Sequence, residues 1–189
     1  KKIIKTNIKV IDKPDKLNIL LTVHRRENWG ENLLEIIEGV KKLIKANKEI
    51  RIIIPMHKNP IVREPIIKNF ENNSQVKLLE PLPYDYMVKA LSSSYFIMTD
   101  SGGLQEEAPS IGIPVLLLRE NSERMEGVDS GNVKIIGTKS KNILLEANKL
   151  IYNLDVYKEM SKPSNPYGDG LASKRILEIC EKWLNNFST

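Results

Sequence analysis

The chain has 189 residues, 41% of them hydrophobic and 28% charged, with a formal net charge of +5. That balance fits a globular protein that buries a substantial core, as one large domain or two small ones. No apolar run approaches the roughly 20 residues of a membrane span, no signal peptide precedes the first strand, and the lysines are spread along helices, which argues against membrane and nucleic-acid roles.

Taken in order, Lys1 to Lys16 holds a β-like piece (Ile8 to Ile11) and a turn signal at Asp12-Lys13-Pro14-Asp15. It reads as a linker, and a chain that opens there without Met reads as a fragment. Residues 17–189 read as one domain. Leu17 to Val23 is a near-continuous apolar run, the mark of a strand covered on both faces. It ends at His24-Arg25-Arg26-Glu27, and a loop follows at Asn28-Trp29-Gly30. Leu33, Leu34, Ile36, Ile37, Val40, Leu43 and Ile44 then recur at helical spacing, predicting a buried stripe. Further strands are predicted at Ile50 to Pro55, Val76 to Leu79, Tyr95 to Met98, Pro114 to Leu118 and Val133 to Ile136. Helices are predicted at Ile61 to Phe70, Tyr84 to Leu91, from Leu104 onward, and at Asn142 to Tyr152, Val156 to Met160 and Ala172 to Asn186. Ser122 to Gly131 reads as a loop or short helix. The single Cys180 falls on the apolar side of the last helix, which predicts a buried thiol. One cysteine allows no disulfide within the chain and favours a reducing, cytoplasmic compartment.

Strands alternating with helices predict βαβ units, a parallel sheet and the doubly wound, Rossmann-like order 3-2-1-4-5-6. In that order the first and fourth strands are neighbours at the topological switch point, where ligands bind beyond the carboxyl ends. His24-Arg25-Arg26 and Asp100-Ser101-Gly102-Gly103 would then face one crevice, with Arg119 next along the row. Small residues at a helix start, with basic neighbours, suit a phosphorylated ligand. An ordinary capped helix start has the same composition. No Gly-x-Gly-x-x-Gly follows the first strand and no Walker-type Gly-Lys-Ser/Thr is present, which argues against NAD and NTPase chemistry.

The ordered set TVHRREN (Thr22 to Asn28), PMHKNPIVREP (Pro55 to Pro65), TDSGGLQEEAPSIGIPVLLLRENSERMEGV (Thr99 to Val128), GNVKIIGT (Gly131 to Thr138) and SNPYGDGLAS (Ser164 to Ser173) resembles the C-terminal domain of the non-hydrolysing UDP-N-acetylglucosamine 2-epimerases. The resemblance implies one half of a GT-B two-domain architecture, with the N-terminal half missing and the full enzyme a homodimer. It implies interconversion of UDP-GlcNAc and UDP-ManNAc by elimination and re-addition of UDP, without metal or nicotinamide. By the same resemblance Ser101, Gly102 and Gly103 hold the diphosphate, Glu107 the ribose hydroxyls, and His24 lies near the diphosphate as the catalytic residue of this half. Met87 stands where the family often has a Phe beside the uracil. Arg119, Glu123, Arg124 and Glu126 are expected to line the cleft or to form an ion-paired loop. Within that run Ser122 replaces the family's Thr and Met125 its Pro. Arg25 and His57 match positions that contact an allosteric UDP-GlcNAc in bacterial members, though His57 also suits a loop cap. The acid/base carboxylates are expected in the other domain. A GT-B glycosyltransferase half, a hydrolysing epimerase and a non-catalytic sugar-nucleotide-binding module remain as alternatives.

Overall fold

The computed structural model describes residues 17–186, so the β-like piece at 8–11 lies outside the described residues. β1 (Leu17–Thr22), β2 (Ile50–Pro55), β3 (Val76–Leu79), β4 (Phe96–Thr99), β5 (Val115–Leu117) and β6 (Val133–Ile135) form one six-stranded sheet. Its order is β3-β2-β1-β4-β5-β6 and every pairing is parallel. The domain is therefore a doubly wound, Rossmann-like α/β fold, in the order expected.

Alternation along each strand splits the core in two. Ile19, Leu21, Ile52, Ile54, Phe96 and Met98 face α1 (Glu31–Ala46), α2 (Pro60–Phe70), α6 (Ser140–Tyr152) and α7 (Leu154–Met160). Leu20, Ile53, Ile97, Val115 and Leu117 face α3 (Tyr84–Ser92) and α4 (Gly102–Ser110). The central strands β1 and β4 are buried throughout most of their length, as continuous apolar runs require. After α4 the chain reverses at Gly112, where φ is +70° and a Cβ would stand 2.6 Å from the Ser161 carbonyl oxygen, so only glycine fits.

Three local expectations need correction. Leu34 is 56% exposed, because it lies about 100° around α1 from Leu33 and so leaves the buried stripe. α4 begins at Gly102 rather than at Leu104, and neither Gly102 nor Gly103 has a positive φ. The glycines form the helix's own first turn instead of a turn ahead of it. Cys180 is exposed, because α8 (Ala172–Asn185) lies outside both core clusters and has no buried residue. Its start is held by Asp169, which accepts from Leu171 N–H at 3.1 Å and from Arg175 Nη1 at 2.8 Å.

Candidate functional site

At the switch point the ladder Thr22↔Thr99 is locked by a buried contact of 2.6 Å between the two threonine hydroxyls. Beyond it the strands part, and the chain continues as His24 on one side and Asp100 on the other. The Asp100 carboxylate accepts from the backbone N–H of His24 at 3.0 Å and of Arg25 at 2.9 Å. It also accepts from Asn28 Nδ2 at 3.0 Å and lies 3.0 Å from His24 Nδ1. Asn28 Nδ2 reaches Leu118 O as well, at 3.0 Å, which joins the ends of β1, β4 and β5. The single 3-10 turn at Arg26–Asn28 brings that amide inward.

The hydrogen bond to Asp100 raises the His24 imidazole above its ordinary value, while burial and the Arg25 charge pull the other way. Burial alone would lift Asp100. The bonds from His24 and Arg25 outweigh it and hold the carboxyl below its usual range. The pairing thus shifts the imidazole toward its charged form, in a cavity that Lys58 also lines.

A cavity of about 450 Å³ opens here, lined by His24, Met56, His57, Lys58, Pro81, Leu82, Tyr84, Met87, Ser101, Leu104 and Glu107 among others. This size suits a small-molecule ligand. One end is apolar (Pro81, Leu82, Met87); the other is polar and meets the N-terminus of α4. Ser101 is the N-cap of α4, but its side chain makes no capping bond. Its backbone N–H is bonded to Thr99 Oγ1 at 2.9 Å. Glu107, six residues beyond Ser101 in α4, is pushed up by burial and by the neighbouring Glu106 charge.

The glycines of the first turn have different environments. A Cβ on Gly102 would lie 2.7 Å from Cζ of Arg124, so that guanidinium rests against the helix start. A Cβ on Gly103 would meet only Glu107 Oε1, at 3.9 Å, so the protein's own packing does not demand glycine there. Arg124 is held by Glu106 and Glu123. Ser122 bonds Gln105 Oε1 at 2.8 Å and accepts from Arg124 N–H at 3.0 Å, so its hydroxyl ties this loop to α4. Tyr167 fastens the same loop from the other side, accepting from Gly127 N–H at 3.0 Å at the start of α5 (Met125–Asp129).

The structure thus brings His24, His57, Met87, Ser101 and Glu107 to one cavity, with Gly102 beside it under Arg124. Arg119 does not line it. Its guanidinium is buried and bonded to Glu27 at 2.7 Å and Glu123 at 2.8 Å. Arg25 is turned the same way, with Nε on Asp100 O at 2.9 Å and Nη2 on Glu123 at 3.4 Å. The backbone N–H of Glu123 itself and the Arg119 guanidinium hold the Glu123 carboxyl down to about 2, against partial burial. His57 stacks on His24 with ring centroids 5.9 Å apart, and its Nδ1 accepts from Asn59 N–H at 3.2 Å. It is both a cavity residue and a loop cap. Sequence reasoning placed Asp100 at the crevice without giving it a role, and passed over Asn28, Lys58, Leu82 and Tyr84 as site residues. The register offered a signal for Asp100, since two steps beyond Thr22↔Thr99 the β1 chain must pass beside the residues that follow Thr99.

A doubly wound domain with an imidazole–carboxylate pair and a helix N-terminus at its switch point is a ligand-binding α/β half of familiar kind. Comparison with known proteins narrows the class. Residues 1–181 match the family described as UDP-N-acetylglucosamine 2-epimerase, and the chain belongs to that family. It is 48% identical over 174 residues to the UDP-N-acetylglucosamine 2-epimerase of Campylobacter jejuni, covering 92% of this chain and 45% of that protein. The S. aureus MnaA–UDP co-structure superposes with a TM-score of 0.85 at 46% identity, over 90% of this chain and 47% of that one. The UDP-GlcNAc 2-epimerase of Neisseria meningitidis bound to UDP-GlcNAc gives 0.87 at 42% identity, over 92% and 46%. The chain therefore spans about half the length of the relatives it matches. Among the described residues no helix is long and apolar enough to cross a membrane.

Proposed function

We propose that residues 17–189 are the UDP-holding half of a UDP-N-acetylglucosamine 2-epimerase. Residues 1–16 are then the link to a preceding second domain of GT-B type. One observation carries this reading. A single cavity runs from an apolar end at Met87 to His24 and the uncapped N-terminus of α4, in a family whose solved members include a UDP complex. The Ser101 hydroxyl and the N–H groups of Gly102 and Gly103 take the diphosphate, with the His24 imidazolium alongside. Arg124 lies against the same helix start and is the arginine best placed to join them. Arg119, paired on both sides, acts by holding Glu123. Glu107 accepts the ribose hydroxyls, and Met87 packs on the uracil. His57 and Arg25 flank His24 and are the residues a second UDP-GlcNAc would touch in the complete enzyme.

The reaction is inversion at C2 of UDP-GlcNAc by elimination of UDP and its re-addition. Negative charge grows on the departing phosphate, so His24, the α4 N-terminus and Arg124 lower that barrier. Transfer of the C2 proton needs carboxylates, which the other domain supplies. The complete enzyme works as a cytoplasmic homodimer. The test is incubation of the 189-residue chain with UDP and with UDP-GlcNAc. The expected result is weak UDP binding by calorimetry and no UDP-ManNAc or free ManNAc. Turnover by this chain alone, or no UDP binding at millimolar concentration, contradicts the reading.

A further inference from the structure

We propose that Asp100 is a positioning residue that sets the tautomer of His24, holding the proton on Nδ1 and turning Nε2 toward the cavity. The proposal rests on the assignment of His24 to the phosphates of UDP.

The geometry leaves the carboxylate little freedom. Asp100 is completely buried. One oxygen lies 3.0 Å from His24 Nδ1, and the other accepts from His24 N–H, Arg25 N–H and Asn28 Nδ2 at 3.0, 2.9 and 3.0 Å. Asn28 cannot rotate its amide without losing Leu118 O, which its Nδ2 also holds at 3.0 Å. Arg25 Nε occupies the Asp100 carbonyl at 2.9 Å. An ionised carboxylate only accepts hydrogen bonds, so Nδ1 must carry a hydrogen in both protonation states of the ring. When the ring is neutral, Nε2 has the lone pair. When the ring is charged, Nε2–H is the donor presented to the cavity that His24 lines. Proton gain and loss are thereby confined to the nitrogen facing the ligand.

A purely structural Asp100 would tie the start of the β1–α1 connection through the backbone N–H groups and leave the ring indifferent. The two roles separate by observables on the ring itself. The other groups facing the imidazole are Arg25 beside it, His57 stacked on it, and Lys58 and Glu107 around the same cavity. Asp100→Asn keeps an acceptor for the Arg25 N–H, and the Arg25 Nε contact is to the Asp100 backbone carbonyl.

The first measurement uses the unsubstituted 189-residue chain without UDP. Long-range ¹⁵N–¹H correlation of His24 above its titration midpoint is expected to show the Nδ1–H tautomer. An Nε2–H tautomer overturns the proposal. The second uses Asp100→Asn. The introduced amide can still accept from the backbone N–H groups, but it then offers N–H to Nδ1. The neutral ring is expected to switch to Nε2–H and its midpoint to move to lower pH. UDP affinity at pH 6 is expected to fall about tenfold, with no loss at pH 8, where the variant's neutral ring presents Nε2–H and the parent's a lone pair. A folded D100N chain with unchanged tautomer and midpoint overturns the proposal. If D100N does not fold, the tautomer of the unsubstituted chain decides alone. Failure of that chain to bind UDP sinks the functional assignment and leaves both ring measurements readable.

Discussion

The tips of β1 and β4 and the loop from Arg119 to Glu126 are both built on paired charges, yet they use them differently. At the strand tips one fully buried carboxylate collects donors from His24, Arg25 and Asn28 at 2.9 to 3.0 Å. Around the loop, Glu123 sits half in solvent and shares itself among Arg25, Arg119 and Arg124. A buried acceptor left without its donors, or donors without their acceptor, costs several kcal/mol, whereas an exposed pair is worth about 0–1 kcal/mol. The first arrangement is a fixed hub. The second is a set of partly exposed pairs whose exchange costs little.

The largest effect should come from the hub. Asp100→Ala strands the N–H groups of His24 and Arg25 and the Asn28 amide, and is expected to lower unfolding free energy by about 3 kcal/mol or more in urea titration. A loss below about 1 kcal/mol would erase the distinction between the two regions. Next, His24→Ala keeps the backbone bonds to Asp100 and is expected to reduce UDP affinity about tenfold by calorimetry, with a smaller effect on stability.

The pH dependence follows from the same pair. The folded value of His24 lies above its unfolded 6.5. Its contribution is therefore fully present below pH 6.5 and is lost as pH rises through the higher folded value. Asp100 lies below its unfolded 3.8, so its contribution is present above 3.8 and disappears as pH falls through the lower folded value. UDP affinity should decline with rising pH in the parent chain and lose most of that slope in His24→Ala.

At the loop, Arg124→Ala is expected to change stability by no more than about 0.5 kcal/mol while weakening UDP severalfold, because its pairs are exposed. A stability loss as large as that of Asp100→Ala would show that the loop is also a hub. The smallest effect concerns α8. Cys180 should react fully with a thiol reagent in the native chain, without change in the far-ultraviolet circular dichroism spectrum.

Much of this was legible in the sequence, for physical reasons. Leu17 to Val23 and Ile50 to Pro55 read as strands because two-sided burial demands unbroken apolar runs, and alternation with helices then gives the strand order and the crevice. The start of α4 was misread because glycine, which signals a turn by its backbone freedom, serves at Gly102 to admit the Arg124 guanidinium. Nothing local marks that need. Leu34 and Cys180 were misjudged because helical spacing marks an apolar side without saying what covers it. Asp100 was placed at the crevice but given no role, because that role depends on where a chain 76 residues away leaves the neighbouring strand.

The central claim is that the tips of β1 and β4 grip a diphosphate between an imidazole and a helix start. Titration of UDP into the isotope-labelled chain, followed residue by residue by NMR, tests it most directly. The largest shifts should fall on the His24 ring and on the amides of Ser101, Gly102 and Gly103, with Met87 perturbed at the apolar end. Shifts confined to another face, with His24 and Ser101 unmoved at saturation, would contradict it.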